Sequence, residues 1–176
     1  NICYACIIFL YIRCPMSKKR HLRPEESVCF TTKTTWHAIS RLYNTTGAEH
    51  EVSAASGFVL LNIDLENGSP ATKIAPALGM EPRSLTRMLK SMEDKGYLYR
   101  QADPSDGRVM RIFLTEEGKK KRELAKIGVV AFNKAVRDLV PTEKLDVFFE
   151  VANTINEIID KKSIYDKVNI NGISQQ

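Results

Sequence analysis

PATKIAPALGMEPRSLTRMLKSMEDKGYLYRQADPSDGRVMRIFLTEEGKK, residues 70–120, changes its apolar period several times within fifty positions. Ser69, just before it, is a good helix N-cap, and Pro70 suits the first helical position, where its missing N–H costs nothing. A short helix is expected there, with Ile74, Ala75 and Leu78 facing inward. Gly79 breaks it, and Glu81-Pro82 opens a second helix running to about Lys95. In this one Leu85, Met88, Leu89 and Met92 recur at i, i+3, i+4 and i+7, the spacing of a buried stripe. At about 100° per residue, Arg83, Thr86, Arg87, Lys90 and Asp94 fall on the opposite face. Two helices joined by a short glycine-containing turn, the second basic on its outer face, make a helix-turn-helix. Gly96 closes the second helix. Residues 97–101 and 109–114 then alternate as two strands around a Pro-Ser-Asp-Gly rich in turn formers. A hairpin placed directly after the second helix reads as a wing.

Outward from this core the periodicity is helical on both sides. Upstream, residues 25–43 carry Val28, Thr32, Trp36, Ile39 and Tyr43 along one stripe, and Asn44 to Gly47 are expected to stop that helix. Residues 53–65 are apolar almost all round, which marks a helix buried on several sides. Downstream, Thr115 is an N-cap candidate, with Glu116 and Glu117 at the positive helix end. It opens a long helix to about Leu139. Pro141-Thr142 restarts the chain into a last helix expected to bury Leu145, Phe148, Phe149, Ala152, Ile155 and Ile159. The expected fold is mainly α with a small β-hairpin wing. A winged helix-turn-helix lobe covers about 53–114, and a helical lobe is built from the N- and C-terminal helices, about 25–43 and 115–162. Residues 163–176 lose periodicity and are expected to form a flexible tail.

With 176 residues, 43% of them apolar and 27% charged, the composition is that of a folded protein and excludes disorder throughout. Lys and Arg outnumber Asp and Glu by 26 to 21, which points to a polyanionic partner without naming one. Between Glu81 and Lys126 there are twelve Lys and Arg against eight Asp and Glu, so the excess concentrates on the second helix, the hairpin and the start of the long helix. The run Lys119 to Arg122 reads as a solvated helix face. Arg83, Arg87, Lys90 and Arg108 fall on two elements that would approach one duplex together. Cys3, Cys6, Cys14 and Cys29 all precede residue 30, so they form no disulfide framework. The Cys3–Cys6 pair has no second pair at zinc spacing, and His21, His37 and His50 are scattered, so neither a metal nor a cofactor is expected. Residues 1–24 are expected to be disordered or translated upstream sequence, with Met16 the biological start. The apolar stretch from Ile2 to Ile12 is about half a bilayer span and lacks a preceding basic residue. A membrane-attached anchor is the alternative there; the expected protein is cytoplasmic with no membrane partner. No phosphate-cradling glycine loop, nucleophile elbow or HExxH occurs, and an enzyme is not expected.

The stretch from Pro70 to Lys120 resembles the winged-helix core of the MarR (multiple antibiotic resistance) regulators. KGYLYR, DPSDGR and FLTEEG carry the most specific likeness, to that family's wing and the start of its long dimer helix. The resemblance extends over about Glu25 to Lys162. It implies a homodimer whose first and last helices interlock as a dimerisation lobe, binding pseudo-palindromic double-stranded DNA and usually repressing transcription until a ligand or oxidant intervenes. Arg83, Ser84, Thr86, Arg87 and Lys90 would then present donors to the major groove, and Arg108 at the hairpin tip would enter the adjacent minor groove. Asp103 and Asp106 are poor phosphate neighbours and are expected to stabilise the wing by ion pairing with Arg108 or Arg100. The family often has an arginine between these aspartates, where this chain has Ser105, so one groove contact is expected to be missing.

Two signal inputs compete. One is a small phenolic or apolar effector bound near Trp36, Arg41, Tyr43 and Phe58. The other is oxidation of Cys29, because EESVCF resembles the organic-hydroperoxide-sensing branch and Tyr43 matches one of its tyrosines. Lys33 and Ala54 stand where the others would be. Against both inputs stands a plainer reading, with Cys29 an inert buried thiol and Trp36 and Phe58 core residues. A winged helix that binds protein rather than DNA is the remaining alternative, and Arg83, Arg87 and Lys90 argue against it.

Overall fold

The computed structural model describes residues 23–161, so the expectations for Cys3, Cys6, Cys14, Met16 and the C-terminal tail lie outside the described residues. A 3-10 turn over Pro24–Glu26 leads to Ser27, whose hydroxyl accepts from Phe30 N and caps α1, Val28–Gly47. This helix runs past the expected stop at Asn44, because Thr46 turns its hydroxyl back onto the Leu42 carbonyl at 2.9 Å and stays compatible with helix. A 3-10 turn, Ala48–His50, follows. Ser53 and Ser56 then cap each other reciprocally at the start of α2, Ala54–Leu61. The helix ends short of residue 65 because Asp64 gathers the amides of Glu66 and Asn67, at 2.9 and 2.8 Å, into a turn of its own.

Ser69 is not the helix cap that its position suggests. Ser69–Pro70 form a short strand, β1, and the Ser69 hydroxyl instead accepts from Asp64 N at 3.0 Å. Pro70 takes the cap position of α3, Ala71–Ala77, with no side-chain cap. Next come α4 (Pro82–Asp94), β2 (Leu98–Ala102) and β3 (Met110–Leu114). The sheet is antiparallel in the order β1-β3-β2, with Ser69 opposite Ile112 and Leu98 opposite Leu114. The wing therefore rests on three strands rather than two. Gly96 ends α4 at φ +72°, with Tyr97 N reaching back to Met92 O at 2.9 Å, the closure that sets the angle at which β2 leaves the helix.

The chain divides into two compact units, one ending at Lys126 and the other beginning at Ile127. In the first, Val59, Leu60, Ile63, Ile74, Leu85, Leu89, Leu98 and Ile112 bury one apolar core beneath the helix-turn-helix and the sheet. The long helix α5, Glu116–Leu139, starts there. Thr115 caps it by accepting from Gly118 N at 3.0 Å while donating to Gly96 O at 2.6 Å. A Cβ on Gly118 would lie 1.8 Å from the Tyr97 carbonyl oxygen, so only glycine lets the helix start press against the backbone just before β2. In the second unit, α6 (Thr142–Asp160) buries only Leu145. Phe148, Phe149 and Ile159, expected inside, are 62%, 44% and 56% exposed in the single chain, and Ala152 and Ile155 are half-buried. Their periodicity was that of an apolar stripe, but among the described residues the stripe is left largely exposed.

Candidate nucleic-acid interface

Alpha-helical geometry splits α4 cleanly. Leu85, Leu89 and Met92 are buried, while Arg83, Ser84, Thr86, Arg87 and Lys90 are all exposed on the other side. Among the described residues, Arg83, Arg87 and Lys90 take part in no ion pair. Thr86 differs from expectation: its hydroxyl donates to Pro82 O at 2.9 Å, so it offers a groove its lone pairs and methyl rather than a donor. Arg100 of β2 pairs with Glu93 at 3.1 Å, which ties the strand to the last turn of α4.

The wing is ordered by its aspartates, though not through the arginines expected. Asp103 is buried. Its Oδ1 accepts from Ser105 Oγ at 2.5 Å, Ser105 N at 2.8 Å and Asp106 N at 3.3 Å, while its Oδ2 accepts from Arg111 Nε. The Ser105 hydroxyl, the Arg111 guanidinium and the Ser105 amide together hold this carboxyl well below the usual carboxylate range. Asp106 accepts from the backbone N of Arg108 at 3.0 Å and so shapes the turn rather than neutralising a guanidinium. The reason is register. Asp103 lies two positions beyond Gln101, on the same face of the sheet, and Gln101 sits opposite Arg111, so Arg111 is the cation it meets. Arg108 is consequently exposed at the tip with no ion pair among the described residues. Arg111 is the residue that sequence reasoning missed. The alternation of β3 put it on the face of Gln101, but only the pairing register identifies Asp103 as its partner.

The basic run at the start of α5 is only partly solvated. Lys119 and Lys120 pair with Glu116 and Glu117 one turn before them. Lys121 is 15% exposed; it donates to His50 O at 2.9 Å and lies 5.5 Å from the centre of the Tyr97 ring. The Tyr97 hydroxyl donates to Glu51 at 3.2 Å, and burial first, then that carboxylate, pushes its phenol up. These contacts lock the turn after α1 to the exit of α4 and the start of α5.

Three of the expected effector residues meet. Phe58 lies 5.6 Å from Trp36 and 6.0 Å from Tyr43 between ring centroids, and burial pushes the Tyr43 phenol up. Trp36 is 48% exposed, so it is not a core residue of the single chain. Cys29 is exposed in the single chain too; at seven-residue spacing it shares one face of α1 with Trp36 and Tyr43. Arg41 is exposed on the same helix. Among the described residues no group of His, Cys, Asp and Glu is placed to hold a metal ion, and no helix is long and apolar enough to cross a membrane.

Residues 52–110 match the model of the MarR family. TtmR of Methylorubrum extorquens, an HTH-type transcriptional regulator, is 33% identical over 95 residues, 54% of this chain and 49% of that protein. The matched stretch thus spans about half the length of TtmR. SarZ of Staphylococcus aureus, also an HTH-type transcriptional regulator, is 26% identical over 136 residues, covering 77% of this chain and 90% of SarZ. Among solved structures, CouR from Rhodococcus jostii RHA1 bound to p-coumaroyl-CoA superposes with a TM-score of 0.67 at 22% identity, over 76% of this chain and 94% of that one. The repressor CouR bound to a 23-mer DNA duplex gives 0.65 at 24% identity, over 80% and 99%. The fold is shared with both.

Proposed function

We propose that the chain, whose residues 52–110 match the MarR family model, is a DNA-binding transcriptional regulator that works as a homodimer. One observation carries this. Where neighbouring cations on β2, β3 and α5 are tied up in ion pairs, Arg83, Arg87 and Lys90 on α4 and Arg108 on the wing tip are exposed and have no ion pair among the described residues. Four free cations on two adjacent elements suit a duplex, with α4 in the major groove and Arg108 in the minor groove beside it. Ser84 and Thr86 would add shorter polar contacts. Asp103, Asp106 and Arg100 serve the frame rather than the DNA.

Homodimerisation accounts for the apolar surface left open among the described residues: Val28 on α1, Ile127 and Val130 on α5, Phe148 and Ile159 on α6. In this reading residues 25–162 are the regulator proper, the terminal helices making the dimer. Two copies would read half-sites of a pseudo-palindrome about 34–36 Å apart. The protein then acts in the bacterial cytoplasm as a repressor, released when an effector reaches the Trp36, Tyr43 and Phe58 cluster near Arg41. CouR is bound to p-coumaroyl-CoA, which makes phenolic acids and their thioesters the first effectors to try. A second reading, oxidation of Cys29, is supported by the exposure of that thiol.

A gel shift on the promoter beside the encoding gene tests the main reading. Saturable, competitor-resistant binding is expected, and binding no tighter than to random duplex would overturn it. Adding a phenolic acid or an organic hydroperoxide separates the two inputs. Release by peroxide that persists in Cys29→Ser would eliminate the thiol.

A further inference from the structure

Arg111 has no part in that reading, yet it makes more long-range polar contacts than any other wing residue described. Its Nε donates to Asp103 Oδ2, and its Nη1 donates to Asn67 O at 3.0 Å and sits 3.5 Å from Gly68 O. One guanidinium therefore joins the base of the hairpin tip to the turn that enters β1, forty-four positions away. From that turn the chain passes through Ser69 and Pro70, opposite Ile112 and Arg111, directly into α3 and the helix-turn-helix. On its other side Asp103 collects Ser105 and Asp106, and Asp106 fixes the Arg108 amide. The polar chain thus runs unbroken from Asn67 to Arg108. A two-residue β1 ladder is too short to fix the hairpin's angle alone, whereas a planar guanidinium with donors aimed two ways sets both position and tilt.

We propose that Arg111 is a positioning residue for DNA reading, holding the wing at the angle from which Arg108 reaches the minor groove while α4 occupies the major groove. This rests on the groove role given to Arg108 above. Arg111 itself is 29% exposed, and its Nε and Nη1 are committed within the protein, so it acts through the wing and not on the duplex.

The test is a double-mutant cycle on the full chain, by fluorescence anisotropy with the promoter fragment across a range of salt. Arg111→Ala should weaken binding roughly tenfold, or about 1.4 kcal/mol. It should also flatten the salt dependence by about one counterion, the same change expected of Arg108→Ala. The double variant should be no weaker than Arg108→Ala alone, since the brace matters only through the residue it aims. Asp103→Asn keeps the shape of the site but removes its charge, and should copy Arg111→Ala; it decides the matter if Arg111→Ala does not fold. Full affinity in a folded Arg111→Ala or Asp103→Asn, with Arg108→Ala weakened, overturns the brace alone. Additive losses in the double variant overturn it as well, by making Arg111 an independent contact. Unchanged affinity in Arg108→Ala would instead remove the wing reading, and the brace with it.

Discussion

Single side chains divide here into those that would touch DNA and those that aim them, and their substitutions should be distinguishable. Arg87 stands free on the outer face of α4. A bidentate arginine–guanine pair discriminates by about 1–3 kcal/mol, so Arg87→Ala should relax base preference at one position of each half-site. Selection from a randomised duplex pool checks this; an identical recovered motif would refute the role. Asp103 behaves in the opposite way, as a residue of the frame. Its carboxyl is held below its ordinary value of 3.8, so its ionised form favours the fold above that value. That contribution is lost as the pH falls through the lower folded value. Melting temperatures measured from roughly pH 4 down to pH 2 should therefore fall more steeply for the native chain than for Asp103→Asn. The outward cations were legible because helical period alone sorts them. The partner of Asp103 was not, because an ion pair across a hairpin depends on register, and the turn DPSDGR leaves several registers open.

At the scale of elements, α4 was the most legible part of the chain, with an apolar stripe, a proline at its start and Gly96 at its end all agreeing. Its stripe also carries its stability. Leu89 is 1% exposed, and Leu89→Ala should cost about 2–5 kcal/mol in chemical denaturation, with the loss spread over the whole winged unit. A change in the denaturation slope rather than the midpoint would mean that α4 melts separately. Two of the departures at this scale share one cause. Ser69 and Thr46 are both residues whose hydroxyls serve either a cap or a neighbouring carbonyl or amide, and local sequence does not say which. Ser69-Pro70 resembles a helix start, but the backbone before α3 is recruited by β3 and becomes a strand too brief for any periodicity to register.

For the whole molecule, the sequence announced apolar stripes on the terminal helices but could not say whether the chain itself would cover them. Phe148, 62% exposed, is the sharpest case. Phe148→Glu should shift the proposed dimer to monomer in sedimentation equilibrium while leaving its helical circular dichroism intact, and operator binding should fall with it. A dimer undisturbed by that charge would place the interface elsewhere. At Gly118, α5 meets Tyr97 backbone to backbone, with no room for even a methyl group. A seam of that kind cannot be tuned by small steps: any side chain acts as a wedge and pries the rod of the long helix off the backbone before β2. On the proposed repressor reading, a genetic screen for constitutively derepressed cells should return this codon, although the residue it encodes lacks any side-chain atom that could meet a base or a small molecule.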